Sequence, residues 1–172
     1  MKPMTELIAV DLEMTGLQVK TDRILEIGAV RLYRGEILDT FQTFVNPHRK
    51  IDDRITELTG ITSEMVVDAP EAEEALQKFL EFAGDAPLLG HNVIFDYGFL
   101  KQCAVNHGIP WDQKAIDTLK IARKVLKEPE KKSLEVLCDY FQIHRDHAHR
   151  AVDDARATAE LFLLLQEAYQ EK

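Results

Sequence analysis

Asp11 and Glu13 stand two residues apart in IAVDLEMTGL (residues 8–17), a stretch otherwise apolar enough for the buried centre of a sheet. Successive strand side chains alternate faces, so both carboxylates point the same way, roughly 6 to 7 Å apart along the chain. Two like charges on a buried face repel each other, and each is costly to desolvate. The pair therefore asks for a counter-charge, most simply a divalent cation. Two more acids fall on apolar stripes at helical spacing. Asp96 shares its stripe with Phe99, Leu100 and Cys103, and Asp154 lines up with Ala151, Thr158, Leu161 and Leu165. Asp153 lines up instead with Arg156, Ala157 and Glu160, so it should face water and complement the helix macrodipole. A buried Lys or Arg could neutralise any one of these acids, but no basic residue falls on the inward stripes to serve all four.

The segment HRDHAHR (residues 144–150) holds His144, His147 and His149. Three clustered histidines could suggest zinc, yet no cysteine accompanies them, and so polar a segment is more often a solvated loop. A histidine just ahead of the helix that carries Asp154 can instead act on a water held by metal. Cys103 and Cys138 lie far apart among apolar neighbours, which favours buried thiols in a reducing compartment.

The elements that must carry these residues follow from the patterning. The first apolar run is followed by ILEIGAVRLYR and EILDTFQTFVN, joined at Gly35 and rich in β-branched and aromatic residues, which read as sequential, mostly antiparallel strands. NPHRKIDDRITELTGITSEMVVDAP is a polar connection with short helical turns. Pro70 then precedes a helix over EAEEALQKFLEFAG that stops at Gly84. PLLGHN is a short buried strand. Helices are expected from about Val93 to His107, with Asn92 the better cap, from about Asp117 to Leu126, after Ser133, and from Ala151 to about Tyr169. Strands first and helices later, around a sheet with an acidic centre, predict a mixed α/β sandwich.

With 172 residues, 45% of them hydrophobic, and no Ser/Gly/Pro-rich linker, the chain is expected to form one domain over residues 1–172. The longest late apolar run, LFLLL, is too short to span a bilayer, so a cytoplasmic protein without a membrane is expected. The formal charge of −9 repels a polyanion and argues against an ordinary nucleic-acid-binding module. It leaves room for a nuclease whose cations supply positive charge locally.

Three motifs in order carry a family resemblance over nearly the whole chain: DLEMTG, HNVIFDYGFL with Asp96, and HRAVDDA with His149 and Asp154. TGITSEMVVDAP and IDTLKIAR add to it. The chain resembles the DEDDh-type 3′→5′ exonucleases, which include the proofreading epsilon subunit and exonuclease domains of bacterial DNA polymerase III. The resemblance implies a ribonuclease H-like fold, a mixed five-stranded sheet flanked by helices. It also implies that Asp11, Glu13, Asp96 and Asp154 hold two Mg²⁺, with Mn²⁺ as a substitute, and that His149 is the general base. Of the three histidines only His149 stands at the family's interval of five before an acid. Leu12, Met14, Thr15, Gly16 and Phe95 would approach the terminal nucleotide, with ordinary core packing the competing account of Leu12, Met14 and Phe95. Asp117 is either a family acid or the cap of the helix that follows it.

The implied activity is metal-dependent hydrolysis from the 3′ end of DNA, single-stranded or frayed, releasing nucleoside 5′-monophosphates in proofreading or repair. In such sites two ions about 3.5 to 4 Å apart activate water and stabilise the leaving oxygen. DLEMTGL is also similar to oligoribonucleases, which keeps RNA and short oligonucleotides as the alternative substrate. A catalytically silent polymerase-binding module is a third reading, against which the full acid set speaks. The chain ends at Lys172 without the extension by which the proofreading subunit tethers to its polymerase, so it is expected to work alone, to dock by another surface, or to be a piece of something longer.

Overall fold

A computed structural model describes residues 6–146 and 150–171. Its sheet begins with the three β-rich runs: β1 (Glu6–Met14), β2 (Ile24–Tyr33) and β3 (Glu36–Phe44). Arg34 and Gly35, which join β2 to β3, have φ of 50° and 83°. This is the pair of positive values a two-residue hairpin turn needs, and Gly35 meets it without a Cβ penalty. β1 pairs antiparallel with β2, and β2 with β3. On the other side of β1 lie β4 (Leu88–Gly90) and then β5 (Ala115–Asp117), both parallel, giving the order β3-β2-β1-β4-β5. The sheet is mixed and five-stranded, as expected, and β1 is its centre. β5 has only three residues, too few for a period-two pattern, and sequence reading did not locate it.

Alternation along β1 divides the core. Leu7 and Ala9 join Val30, Leu32 and Leu89 on one face, against Ala155, Ala159 and Phe162 of the long helix α7 (Ala151–Gln170). Ile8, Val10 and Leu12 point to the opposite face, with Ile27 and Ala29. There they meet Leu76 and Phe79 of α3 (Ala72–Ala83) and Phe99 and Leu100 of α4 (Val93–Asn106). Fully burying each such side chain contributes about 1.5–3 kcal/mol. Asp11 and Glu13 continue the Leu7–Ala9 row, so the sheet presents them on the face that α7 covers.

Two short helices, α1 (Asp53–Thr59) and α2 (Ser63–Val66), fill the polar connection and bury Ile55 and Val66 with Leu25, Ile51 and Ile61. α5 (Thr118–Val125) and α6 (Leu134–Phe141) pack on α7 through Ala122, Leu137, Leu161 and Leu165. The side chains of Asp117 and Ser133 cap α5 and α6, accepting from the Leu119 and Val136 amides at 2.9 and 3.3 Å. Asn92 precedes α4 as expected, but it occupies the left-handed region at φ 61° and makes no side-chain cap bond. Cys103 and Cys138 are free and buried. Among the described residues no helix is long and apolar enough to cross a membrane.

Candidate active site

Asp11 and Glu13 leave the central strand on the same face, and α7 lays Asp154 over them. Ligand-type oxygens of these three carboxylates all lie within 4.8 Å of one another. Asp96 comes from the first turn of α4, on the other face of the sheet. It stands outside that group of three, yet close enough that its charge is the largest neighbouring influence on Asp11. Asp96 and Asp154 are each 6% exposed, as their apolar stripes predict. Asp153 is half-buried, and the stripe of Asp154 is buried throughout.

The electrostatics are those of like charges gathered in a buried place. Burial, then the charges of Asp96, Asp154, Glu13 and Glu26, hold the Asp11 carboxyl well above the ordinary range. Burial first, then Asp154 and Glu26, push Glu13 up to about 8, with Arg150 acting in the opposite sense. Burial also pushes Asp96 up to about 8, against a hydrogen bond from the Leu12 backbone and with the help of Asp117. Asp11 Oδ2 is buried and has no hydrogen-bond partner among the described residues. Convergent hard carboxylate oxygens, one of them unpartnered, suit a divalent cation with oxygen preference. The donor set therefore fits the ions expected for it.

One acid is paired with a basic residue, as the sequence allowed for any single member of the set. No basic residue lies on the inward stripes, yet Arg145 Nη1 reaches Asp154 Oδ1 at 3.1 Å, both side chains being nearly buried. The guanidinium comes from the loop before α7, where helical periodicity says nothing. Among the described ion pairs it meets Asp154, and none of those pairs joins a basic residue to Asp11, Glu13 or Asp96.

The expected nucleotide contacts fall into two groups. Leu12 is 3% exposed and belongs to the apolar core, so its side chain is not open to a ligand; its backbone bonds to Asp96. Met14 is half-buried against the same core. Phe95, in contrast, is 40% exposed at the start of α4. Thr15 and Gly16 form a turn held by a residue that sequence reading missed. Asp22 accepts from Thr15 Oγ1 at 3.0 Å and from the Gln18 amide at 2.9 Å. A Cβ on Gly16 would lie 2.4 Å from Asp22 Oδ2. His149 lies outside the described residues, as does His147. Of this histidine segment His144 is described, and it pairs with Asp146 at 2.8 Å on the surface.

Glu26 was also missed. It is 1% exposed on β2, directly across from Glu13. In ILEIGAVRLY it alternates with Gly28, Val30 and Leu32, the same test that singled out Asp11 and Glu13 and one that would have found it.

Residues 8–162 match the RNase_T exonuclease family. The chain is 45% identical over 166 residues to the PolC-type DNA polymerase III of Caldanaerobacter subterraneus subsp. tengcongensis, covering 96% of this chain and 12% of that protein. It is 44% identical over 156 residues to the Clostridium perfringens PolC-type polymerase, covering 91% and 11%. The chain thus spans about one eighth of the length of the curated relatives it matches. Among solved structures, exonuclease X in complex with 5′ overhanging duplex DNA is similar at TM-score 0.77 and 27% identity, over 94% of this chain and 91% of that one. The nuclease domain of 3′hExo, a DEDDh family member bound to rAMP, shares the fold at TM-score 0.83 and 23% identity, over 96% and 94%. Escherichia coli exonuclease I with a dT13 oligonucleotide does so at 0.84 and 18%, over 97% of this chain and 42% of that one.

Proposed function

Because the chain belongs to the RNase_T exonuclease family, we propose that it removes nucleotides one at a time from the 3′ end of single-stranded or frayed DNA, as a proofreading or repair nuclease. The observation that carries the reading is the convergence of Asp11, Glu13 and Asp154 within 4.8 Å, with a buried Asp11 oxygen that has no donor among the described residues. Asp11, Glu13, Asp96 and Asp154 would hold two divalent ions, Mg²⁺ or Mn²⁺ in its place. Bound there, the ions supply the positive charge that a phosphodiester needs at its non-bridging and leaving oxygens. His149 takes the proton of the attacking water, and the products are a nucleoside 5′-monophosphate and a shortened strand with a new 3′-hydroxyl.

The exposed Phe95 ring offers a base a stacking surface that is indifferent to sequence, which suits an enzyme accepting any terminal nucleotide. Thr15 and Gly16, braced by Asp22, and Met14 beside them are the further contacts for the terminal nucleotide on this reading. Residues 1–172 act as one exonuclease domain. The identity to PolC-type polymerases supports association with a replicative polymerase as the setting for the activity.

The test is a panel of end-labelled single-stranded DNA, RNA and dinucleotides with Mg²⁺. Stepwise release from the 3′ end of DNA is the expected result. Preference for RNA or dinucleotides would replace DNA by the oligoribonuclease reading, and no release from any substrate would leave a silent binding module.

A further inference from the structure

α7 begins without a cap of its own: Arg150, at the N-cap position, makes no side-chain cap bond. The first helical amides nevertheless need acceptors, and Ala151 is fully buried. The acceptor comes from the far end of the sequence. Glu26 Oε1 takes the Ala151 N–H at 3.0 Å, across 125 positions. Its other oxygen, Oε2, accepts from Gln42 Nε2 on β3 at 2.9 Å. Arg150 Nε stands 3.9 Å from Oε1, while the same guanidinium donates to the Thr59 carbonyl and lies 5.7 Å over the Phe44 ring. A buried carboxylate at the positive end of a helix, with donors on both oxygens, is well compensated.

One residue pair further along β2, Gly28 lets the helix backbone touch the sheet. A Cβ there would lie 2.1 Å from the Val152 nitrogen and 2.2 Å from the Ala151 carbonyl carbon. The register places Gly28 opposite Asp11 and Glu26 opposite Glu13. The first turn of α7 is therefore fixed to the cross-strand partners of the two acids it must face, and Asp154 is three residues into that turn. Glu26 also differs from Asp11 in kind. Among the described residues Asp11 has an oxygen without a donor, whereas both oxygens of Glu26 are engaged.

We propose that Glu26 is a positioning residue: by accepting the Ala151 N–H it sets α7 at the height that brings Asp154 to Asp11 and Glu13. The proposal rests on the reading above, that these acids hold divalent cations. The experiment uses the 172-residue chain with Glu26→Gln, Glu26→Ala and Glu26→Asp. Each is followed by Mn²⁺ calorimetry without substrate, by hydrogen exchange of the Ala151 amide, and by kcat and KM on end-labelled DNA. Glu26→Gln keeps an acceptor for Ala151, and a flipped Gln42 amide accepts from its NH₂, so all three readouts should stay within about threefold of wild type. Glu26→Ala should expose the Ala151 amide to exchange and weaken Mn²⁺ binding and kcat by about 10- to 100-fold, with KM little changed.

Glu26→Asp keeps the charge but withdraws it by one methylene, and should resemble Glu26→Ala. It stands in if the alanine variant does not fold. A folded Glu26→Ala, or in its place Glu26→Asp, with wild-type Mn²⁺ affinity and Ala151 protection overturns the proposal. So does Glu26→Gln impaired as deeply as Glu26→Ala, because charge rather than the hydrogen bond would then matter. A wild-type chain that binds Mn²⁺ yet releases no nucleotide rejects the nuclease reading and leaves calorimetry and exchange to decide this one. A wild-type chain that takes up no Mn²⁺ overturns both.

Discussion

Glu13 and Asp96 are held near 8, against ordinary values of 4.5 and 3.8, and Asp11 is raised in the same direction. Between those limits the metal-free folded protein keeps protons that the unfolded chain has released, so its stability falls as pH rises through the window. A divalent ion favours the charged carboxylates and cancels the effect. In chelator, the melting temperature should drop between about pH 5.5 and about pH 8, and Mg²⁺ should restore more of it at the higher pH. A melting temperature that is flat or rises with pH in chelator would reject this account of the site. His149 is expected to act on the water rather than on the ions. His149→Ala should lower kcat by about 10²- to 10⁴-fold while leaving Mn²⁺ affinity within a factor of about two. Equal loss of both would make it a ligand. The inward placement of Asp11, Glu13, Asp96 and Asp154 was legible in the sequence because each sits on a regular element whose period assigns faces. Arg145 was not, because it lies in a polar loop with no period to read, and only its tertiary contact with Asp154 gives it meaning.

At the scale of elements, the site is an alignment of one strand and two helices, and the contacts that align them can be broken singly. Gly28→Ala would press a methyl into the α7 backbone, which cannot yield as a side-chain tip would. It should cost about 1–3 kcal/mol or more in denaturant unfolding and reduce turnover as α7 lifts. Wild-type stability and turnover would show that the helix has slack at this contact. Asp22→Ala frees the Thr15–Gly16 segment without touching the acids. It should raise KM for a short oligonucleotide several-fold with kcat nearly unchanged; a fall in kcat alone would place Asp22 elsewhere in the mechanism. Most element boundaries were readable within a residue or two, since Gly84, Asp117 and Ser133 end or begin helices for local chemical reasons. β5 was not readable, because a three-residue strand owes its existence to β4 beside it rather than to its own side chains.

For the whole molecule, the charge of −9 sets a limit on how substrate is recruited. On the proposed reading attraction would be confined to the cation site, while each added phosphate beyond it would meet a net negative field. KM should therefore improve little between a pentamer and a 20-mer, and should depend on salt less steeply than for a basic DNA-binding module. A KM that drops more than about tenfold with length and rises steeply with salt would reveal an extended electrostatic track. A mixed α/β class followed from the order of strands and helices, and the ribonuclease H-like, five-stranded form of it from the family likeness. The convergence of distant acids followed only from the family likeness, since no local pattern encodes which elements meet.

The Arg34–Gly35 hairpin lies at the end of the sheet where Glu6 faces Tyr33, far along β1 from the acids, and among the described residues nothing approaches within 4 Å of Gly35 where a Cβ would stand. That border of the protein is open to engineering. A fluorophore or a short peptide epitope grafted there reports on the chain without disturbing its chemistry.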